Sequence, residues 1–295
     1  MKNDSHNEPL VSVALTTFNG KSFIKEQVDS ILAQTYQNFE IVISDDGSDA
    51  ETISILDTYS SSDSRITWSR SPLARGFVFN AQNAISLCKG EIIFLCDQDD
   101  IWFPNKIEEH LKAYQDPSVQ WVYNRFVITD AENNPVGYME DRLPDYFRYK
   151  NMLENAWGSC IGAAQTSYRT NILKSVMPIP SYAPAHDSWI QLAIYPAKPA
   201  FINEVLNTYR QHNNQQVGIV NATNPEAVRA REAEAIAGNF NYLSKLPWNK
   251  QLSLWKRIYF IFVYWIKCIR SFVRKLMRKS DSRLVLDASG KLVMK

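Results

Sequence analysis

Between residues 11 and 114 short apolar runs alternate with segments of helical period, and this alternation most constrains what the chain can fold into. VSVALTTF (11–18), FEIVIS (39–44), RITWS (65–69) and EIIFLC (91–96) read as strands. The intervening segments read as helices. The first runs over about 21–34, with Phe23, Val28, Ile31 and Leu32 on one face, and the second is capped by Ser48 or Asp49 and reaches about Tyr59. A third covers about 78–88 and stops at Lys89-Gly90; after the fourth strand, Pro104 opens a helix to about Tyr114. This order predicts an α/β fold, a doubly wound, mostly parallel sheet with helices on both faces.

Past residue 117 the alternation stops. VQWVYNRFVITD followed by NNP reads as a hairpin, residues 168–176 and 186–195 as helical pieces, and AFINEVLNTYR (200–210) as a pair of strands. The chain then divides into a polar N-terminal tail (1–9), the alternating half (10–116) and a second half of the same domain (117–220). A helical linker (221–247), a basic amphipathic helix (248–279) and a flexible polar tail (280–295) follow.

In doubly wound sheets ligands bind beyond the carboxyl ends of the strands. Those ends are Thr16-Thr17-Phe18-Asn19, Asp45-Asp46-Gly47-Ser48 and Asp97-Gln98-Asp99-Asp100, so polar or acidic residues recur along one edge. Clustered carboxylates repel one another, and the arrangement persists cheaply only when a cation shares the site. Asp-x-Asp oxygens suit Mg²⁺ or Mn²⁺ and leave coordination positions for phosphate oxygens. The alternative is that one aspartate caps the helix at Pro104 while the others are solvated, and Asp45-Asp46-Gly47-Ser48 serves equally as a turn and cap. No strand-end lysine or Asp-x-Asp-x-Thr/Val motif accompanies the acids, which argues against a phosphorylated aspartate. Cys88, Cys96, Cys160 and Cys268 lack the spacing of a zinc site or disulfide framework and read as small apolar residues. His6 and His110 read as surface residues.

The segments VALTTFNG, IVISDDGSDA, ARGFVFNAQNAISLCKGEIIFLCDQDDIWFPNKIE, HDSWIQLA and YRQHNN, in this order over about residues 10–215, resemble family-2 glycosyltransferases of the GT-A fold. The likeness is to the branch labelled rhamnosyltransferase-like. It implies that residues 10–116 are the nucleotide-sugar-binding half and 117–220 the acceptor-binding, catalytic half, that Thr16, Thr17 and Asn19 line a nucleotide pocket, that Asp45 meets the base or ribose beside Asp46, and that Arg75 and Asn80 belong to the donor side. Asp97 would contact ribose or diphosphate, Asp99 would hold Mg²⁺ or Mn²⁺, Asp187 would be the general base, and His212 a further diphosphate or metal contact. Asp100 either faces the acceptor or caps the next helix. Trp157 and Trp189, with Tyr182 and Tyr209, surround the acceptor side, where aromatic faces stack on sugars, although aromatics are also ordinary core. Two stretches depart from the branch: Leu73-Ala74-Arg75-Gly76-Phe77 stands where it has Asn-Leu-Gly-Phe, and His212-Asn213-Asn214-Gln215 where it has His-Gly-Asn-Asn.

Net charge is +1, yet residues 1–247 carry 20 Lys/Arg against 29 Asp/Glu, and residues 248–279 carry nine basic residues and no acidic one. Within that basic segment IYFIFVYWI is an apolar run of nine, whereas a bilayer span takes about 20 residues. Flanking lysines and arginines with Trp255, Tyr264 and Trp265 suit a helix lying on an anionic membrane surface. Packing on the catalytic domain and oligomerisation are the other readings; a nucleic-acid arm would leave so apolar a helix half in water. MKNDSHNEPL lacks the basic and apolar regions of a signal peptide, which places the catalytic part in the cytoplasm.

Together these features predict a membrane-peripheral, inverting, metal-dependent enzyme that moves a sugar from a UDP- or dTDP-type donor to a glycan or lipid-linked acceptor of a surface polysaccharide such as an O-antigen or capsule. A homo-oligomer or biosynthetic complex is compatible with this. A sugar nucleotidyltransferase would want a Gly-rich, basic loop after the first strand, for which TTFNGKSF is a poor version. A non-catalytic scaffold would lack the acids or the base.

Overall fold

The computed structural model describes residues 8–73, 75–138, 161–181, 183, 185–194, 197–212, 215, 284–286 and 292–294. The chain divides into two compact units, Met1–Leu246 and Pro247–Lys295. In the first unit the strands are β1 (Val11–Thr17), β2 (Phe39–Asp45), β3 (Ile66–Arg70), β4 (Ile92–Cys96), β5 (Val119–Thr129), β6 (Pro135–Tyr138), β7 (Thr166–Arg169) and β8 (Lys198–Arg210). Its helices are α1 (Ile24–Leu32), α2 (Ala50–Ser62), α3 (Phe77–Leu87), α4 (Lys106–Ala113), α5 (Thr170–Lys174) and α6 (His186–Ala193). All eight strands join one sheet in the order β3-β2-β1-β4-β7-β5-β6, with β8 paired to β5. The pairs β3–β2, β2–β1, β1–β4 and β5–β8 are parallel, while β7 and β6 run antiparallel to their neighbours.

Alternation along the strands explains the layering, because successive side chains leave a strand on opposite faces. Val11, Val13 and Leu15 of β1 and Ile41 and Ile43 of β2 join Ile24, Val28 and Ile31 of α1, Leu56 of α2 and Ile107 of α4 in one apolar core. On the other face α3 covers β1 and β2, where Asn83 donates to the Ser44 hydroxyl at 2.9 Å. Asp49 caps α2 by accepting from Thr52 N at 2.9 Å.

Three elements differ from the sequence expectation. Residues 166–169 are a strand inserted between β4 and β5, and only Thr170–Lys174 is helical, because the ring of Tyr168 stacks under Trp121 and the backbone completes two ladders. Residues 198–210 form one strand and not a pair; at Asn203-Glu204 it bulges, the pairing with β5 jumping from Ile202 to Val205. In the second unit, the stretch read as a flexible tail contains β9 (Leu284–Leu286) and β10 (Leu292–Met294), paired antiparallel, two apolar triplets flanking a polar Asp287-to-Lys291 connection. The basic segment 248–279 and the linker 221–247 lie outside the described residues. Among those that are described, no helix is long and apolar enough to cross a membrane.

Candidate active site

Parallel pairing of β2, β1 and β4 brings their carboxyl ends side by side, and a glutamine locks two of them together. Gln98 Oε1 accepts from the Thr17 hydroxyl at 2.7 Å and from Phe18 N at 2.9 Å, while its amide donates to Phe18 O at 3.2 Å. Gly20 makes this possible, since a Cβ there would stand 2.3 Å from Gln98 Oε1. Phe18, held by its backbone, leaves its ring 37% exposed at this mouth. Thr16 hydrogen-bonds to Asp97.

The second acidic loop is built around Asp45, which is fully buried. Its carboxylate accepts from Gly47 N at 3.0 Å, from Ser48 N at 3.1 Å and from Arg70 Nε at 3.2 Å. Asn19, at a left-handed φ of 50°, ties that loop to β1: its backbone N donates to Ser48 Oγ at 2.8 Å and its side-chain oxygen accepts from Asp49 N at 2.9 Å. Asp46 accepts from Gly76 N at 2.9 Å, which anchors the start of α3, and Arg75 lies across Gly47. Asn80, buried on α3, donates to Thr17 O at 3.2 Å, and its Oδ1 has no hydrogen-bond partner among the described residues. Thr17, Asn19, Asp45, Asp46, Arg75 and Asn80 therefore share one end of the sheet, with Asp45 an internal organiser of its loop.

The third acidic loop draws in distant parts of the chain. Burial, then the charges of Asp99 and Asp187, push the Asp97 carboxyl up to about 7, against the hydrogen bond from Thr16. Asp187 thus lies within electrostatic reach of the strand-end acids. It sits in the first turn of α6, whose cap position is Ala185, and its carboxylate accepts from Ser188 N at 2.6 Å. His212, just beyond β8, brings Nε2 to 2.9 Å from Asp99 Oδ2. The ring of Phe23 stacks on His212 with centroids 4.2 Å apart, and the Arg210 guanidinium lies 5.1 Å from that same ring. Arg210 also pairs with Glu26 at 2.5 Å.

Asp100 has a different place from its neighbours. It is 1% exposed, and Oδ1 accepts from Arg210 N at 3.1 Å. Burial, then Asp99 and Asp97, hold its carboxyl well above the usual range. It therefore neither faces an acceptor nor caps α4, whose cap residue is Asn105. Trp189 corrects another expectation: it is 5% exposed and its indole donates to Val176 O at 2.8 Å, because an amphipathic α6 turns this face into the core. Tyr209 packs edge-on against Phe126 at 5.4 Å. His110, read as a surface residue, is fully buried between Ser167 and Asn124. Trp157 and Tyr182 lie outside the described residues.

A divalent cation fits the donor set of this corner. Asp99 and His212 offer a carboxylate and an imidazole 2.9 Å apart, a mixed oxygen and nitrogen pair of the kind Mn²⁺ accepts. Among the described residues no three His, Cys, Asp or Glu side chains converge as a complete cage. A cation here would accordingly take part of its coordination from a ligand such as a diphosphate.

Gln98, Arg70 and Phe23 were not singled out by the sequence reading. Gln98 stood in view inside the DQDD stretch, but glutamine in an acidic loop reads as solvated. Arg70 closes β3 with nothing to mark its reach to Asp45, and Phe23 read as one more apolar helix position.

The family model described as Glycosyl transferase family 2 matches residues 12–176. The chain is 29% identical over 153 residues to the UDP-Glc:alpha-D-GlcNAc-diphosphoundecaprenol beta-1,3-glucosyltransferase WfgD of Escherichia coli, covering 52% of this chain and 58% of that one, so it spans little more than half of that relative. It is 25% identical over 209 residues to the putative teichuronic acid biosynthesis glycosyltransferase TuaG of Bacillus subtilis, covering 70% of this chain and 81% of TuaG. Among solved structures, the mannosyltransferase PcManGT from Pyrobaculum calidifontis in complex with GDP-Man and Mn²⁺ matches at a TM-score of 0.60 and 20% identity, over 80% of this chain and 64% of that one. TarS 1–349 of S. aureus in complex with UDP-GlcNAc matches at 0.58 and 13% identity, over 97% and 96%.

Proposed function

Since this chain belongs to glycosyl transferase family 2 and has the GT-A fold of its structural neighbours, we propose that it moves a sugar from a nucleoside-diphosphate donor to a hydroxyl of a glycan or lipid-linked acceptor, with inversion, in building a surface polysaccharide. One observation supports the reading: His212 bonds Asp99 at the carboxyl end of β4, and Asp187, far away in sequence, lies within electrostatic reach of Asp97 there. In an inverting transfer the acceptor hydroxyl attacks the anomeric carbon in line while the nucleoside diphosphate leaves. Asp187 is the base that takes the hydroxyl proton, being close enough to the acids to act on the same sugar yet on a separate helix.

Asp99 and His212 would hold Mg²⁺ or Mn²⁺, which when bound would neutralise charge on a leaving diphosphate. Thr16 and Asp97 meet the nucleotide, Asn80 and Arg75 border the donor, and the exposed ring of Phe18 offers a face to the base. WfgD and TuaG, by their names, act on a diphosphoundecaprenol-linked sugar and in teichuronic acid synthesis, which supports an acceptor at a membrane. We place the basic segment 248–279 at that surface. Vesicle sedimentation with anionic lipid tests it: binding is lost on deleting residues 248–295, and unchanged binding rejects the membrane role.

The decisive experiment screens UDP-, dTDP- and GDP-sugars with Mn²⁺ by release of nucleoside diphosphate. Asp99→Ala and Asp187→Ala should each lower turnover of the best donor by about a hundredfold or more, the scale of a lost general base or electrostatic contact. Wild-type turnover in both variants rejects the site.

A further inference from the structure

Behind the acid loop, on the side away from the strand-end opening, lies a chain of buried polar groups that the proposed chemistry does not use. Lys106, the first residue of α4, is fully buried. Its Nζ donates to Ala164 O at 2.6 Å and to Asn207 Oδ1 at 3.0 Å, and stands 4.5 Å over the Trp102 ring. Asn207 Oδ1 also accepts from Asn124 at 2.8 Å. Asn124 Oδ1 meets His110 Nε2 at 3.0 Å, and His110 Nδ1 meets Ser167 Oγ at 2.7 Å. Lys106 thus ties α4 to β8 and the turn before β7, and the chain continues through Asn124 and His110 to β5 and β7.

The same strand β8 grips the acid loop from end to end. Phe103 N donates to Leu206 O at 2.9 Å, Thr208 N to Ile101 O at 2.8 Å, Ile101 N to the Thr208 hydroxyl at 2.9 Å, and Arg210 N to Asp100 Oδ1 at 3.1 Å. Two residues further on, His212 reaches Asp99. The ladder between β8 and β5 is broken by the bulge at Asn203-Glu204 and again at Leu206, and beyond these breaks runs in step over Asn207–Arg210 against Phe126–Thr129, so the register that matters starts at Asn207, the residue Lys106 holds. A slip of one residue would move Arg210 by about 3.3 Å and turn its side chain to the other face, enough to lose both contacts. Apolar packing is non-directional and tolerates such slips. An Nζ that must donate to one carbonyl and one amide oxygen does not.

Resting on the sugar-transfer reading, we propose that Lys106 is a positioning residue: held between Ala164 and Asn207, it sets β8 in register with the acid loop and so brings His212 to Asp99 and Arg210 to Asp100.

Lys106→Met tests this. Methionine nearly matches the side chain in length and shape, and Asn207 Oδ1 keeps its bond from Asn124. The cost of burying the Lys106 amine is removed along with its bond to Ala164 O, and these two effects oppose each other in stability. Three quantities are read: the urea unfolding midpoint, kcat and KM for the best sugar nucleotide, and UDP affinity by calorimetry with and without Mn²⁺. The midpoint is expected to hold, while kcat falls about tenfold or more, as misplacement of reacting groups by a fraction of an ångström does. The tightening of UDP by Mn²⁺ should shrink with it. A folded Lys106→Met with wild-type kcat and undiminished Mn²⁺ tightening overturns the proposal. Should that variant not fold, Asn207→Ala removes the oxygen that Lys106 holds on β8 and is expected to lower kcat about tenfold; a folded Asn207→Ala with wild-type kcat overturns the proposal equally. If wild type binds no nucleoside diphosphate and turns over no donor, the sugar-transfer reading itself falls and this proposal with it.

Discussion

Lys106 makes a second, purely thermodynamic prediction that needs no substrate. Burial pulls its ammonium down to about 7, opposed by the nearby Cys96 and Asp100. The groups facing it are Cys96 from β4, Asp100 from the acid loop and His110 from its own helix, with neutral Asn207 and Ala164 O from the other elements. His110, itself driven down to about 3 by burial and by Lys106, stays neutral and adds no slope near neutrality. A lysine with a folded pKa of about 7 and an unfolded value of 10.5 is charged in the unfolded chain but loses its proton in the folded one between those limits. The unfolded state then binds more protons, so stability rises with pH across this window. At about pH 8 nearly a whole proton separates the two states, which gives a slope of about 1 kcal/mol per pH unit. The Asp97 carboxyl, raised from 3.8 to about 7, gives the opposite slope at lower pH, and the raised Cys88 thiol acts only above 9. Urea unfolding of wild type and Lys106→Met at several pH values from about 7.5 to about 8.5 isolates the lysine, because the other groups cancel in the difference. Wild type should gain about 1 kcal/mol on the variant over that interval. A flat difference refutes the reasoning, since it would mean the ammonium stays solvated.

Gln98→Ala removes the amide that binds Thr17 and Phe18, and should cost about 1–2 kcal/mol in urea unfolding and raise donor KM; Gly20→Ala, which pushes a methyl into the same amide, should have much the same effect without adding to it. Trp189→Phe breaks the indole bond to Val176 O and should cost about 1–3 kcal/mol while leaving acceptor KM unchanged, whereas a raised KM would return Trp189 to the acceptor site. In a Cys160→Ser, Cys268→Ser background, Ellman's reagent at about pH 8 should label neither Cys88 nor Cys96 until urea is added, because burial pushes the Cys88 thiol up to about 12 and the Cys96 thiol well above its ordinary value.

The parallel half of the fold was legible because its information is local. β1, β2 and β4 are apolar runs and the helices between the strands carry their own signals, such as the Asp49 cap of α2, so the eye needs only a window of about a dozen residues. Beyond β5 the elements are decided by distant partners. TSYR has no strand alternation to speak of and becomes β7 because β4 and β5 leave a gap that its backbone fills. Asn203-Glu204 has the composition of a turn, and only the partner strand makes it a bulge.

The site divides along the same line. Aspartates at strand ends announce themselves, since charge next to an apolar run has few structural excuses, and the motif order carried the link to Asp187 and His212. What supports those groups did not announce itself. Lys106 follows Phe103-Pro104-Asn105 and opens a helix that also bears Glu108, Glu109 and Lys112, where a lysine reads as one more solvated charge. Its partner Asn207 is 101 residues away, and asparagine in a strand is depleted on local grounds alone. The same holds for Asp100, written beside Asp99 and chemically identical to it. One turns toward His212, the other is sealed against Arg210 N, and nothing in two adjacent aspartates says which is which. That choice is made by the register of β8, and the residue that pins this register is itself hidden under the loop. An acidic motif therefore predicts where charge gathers, while the roles of its members follow from the strand laid against it.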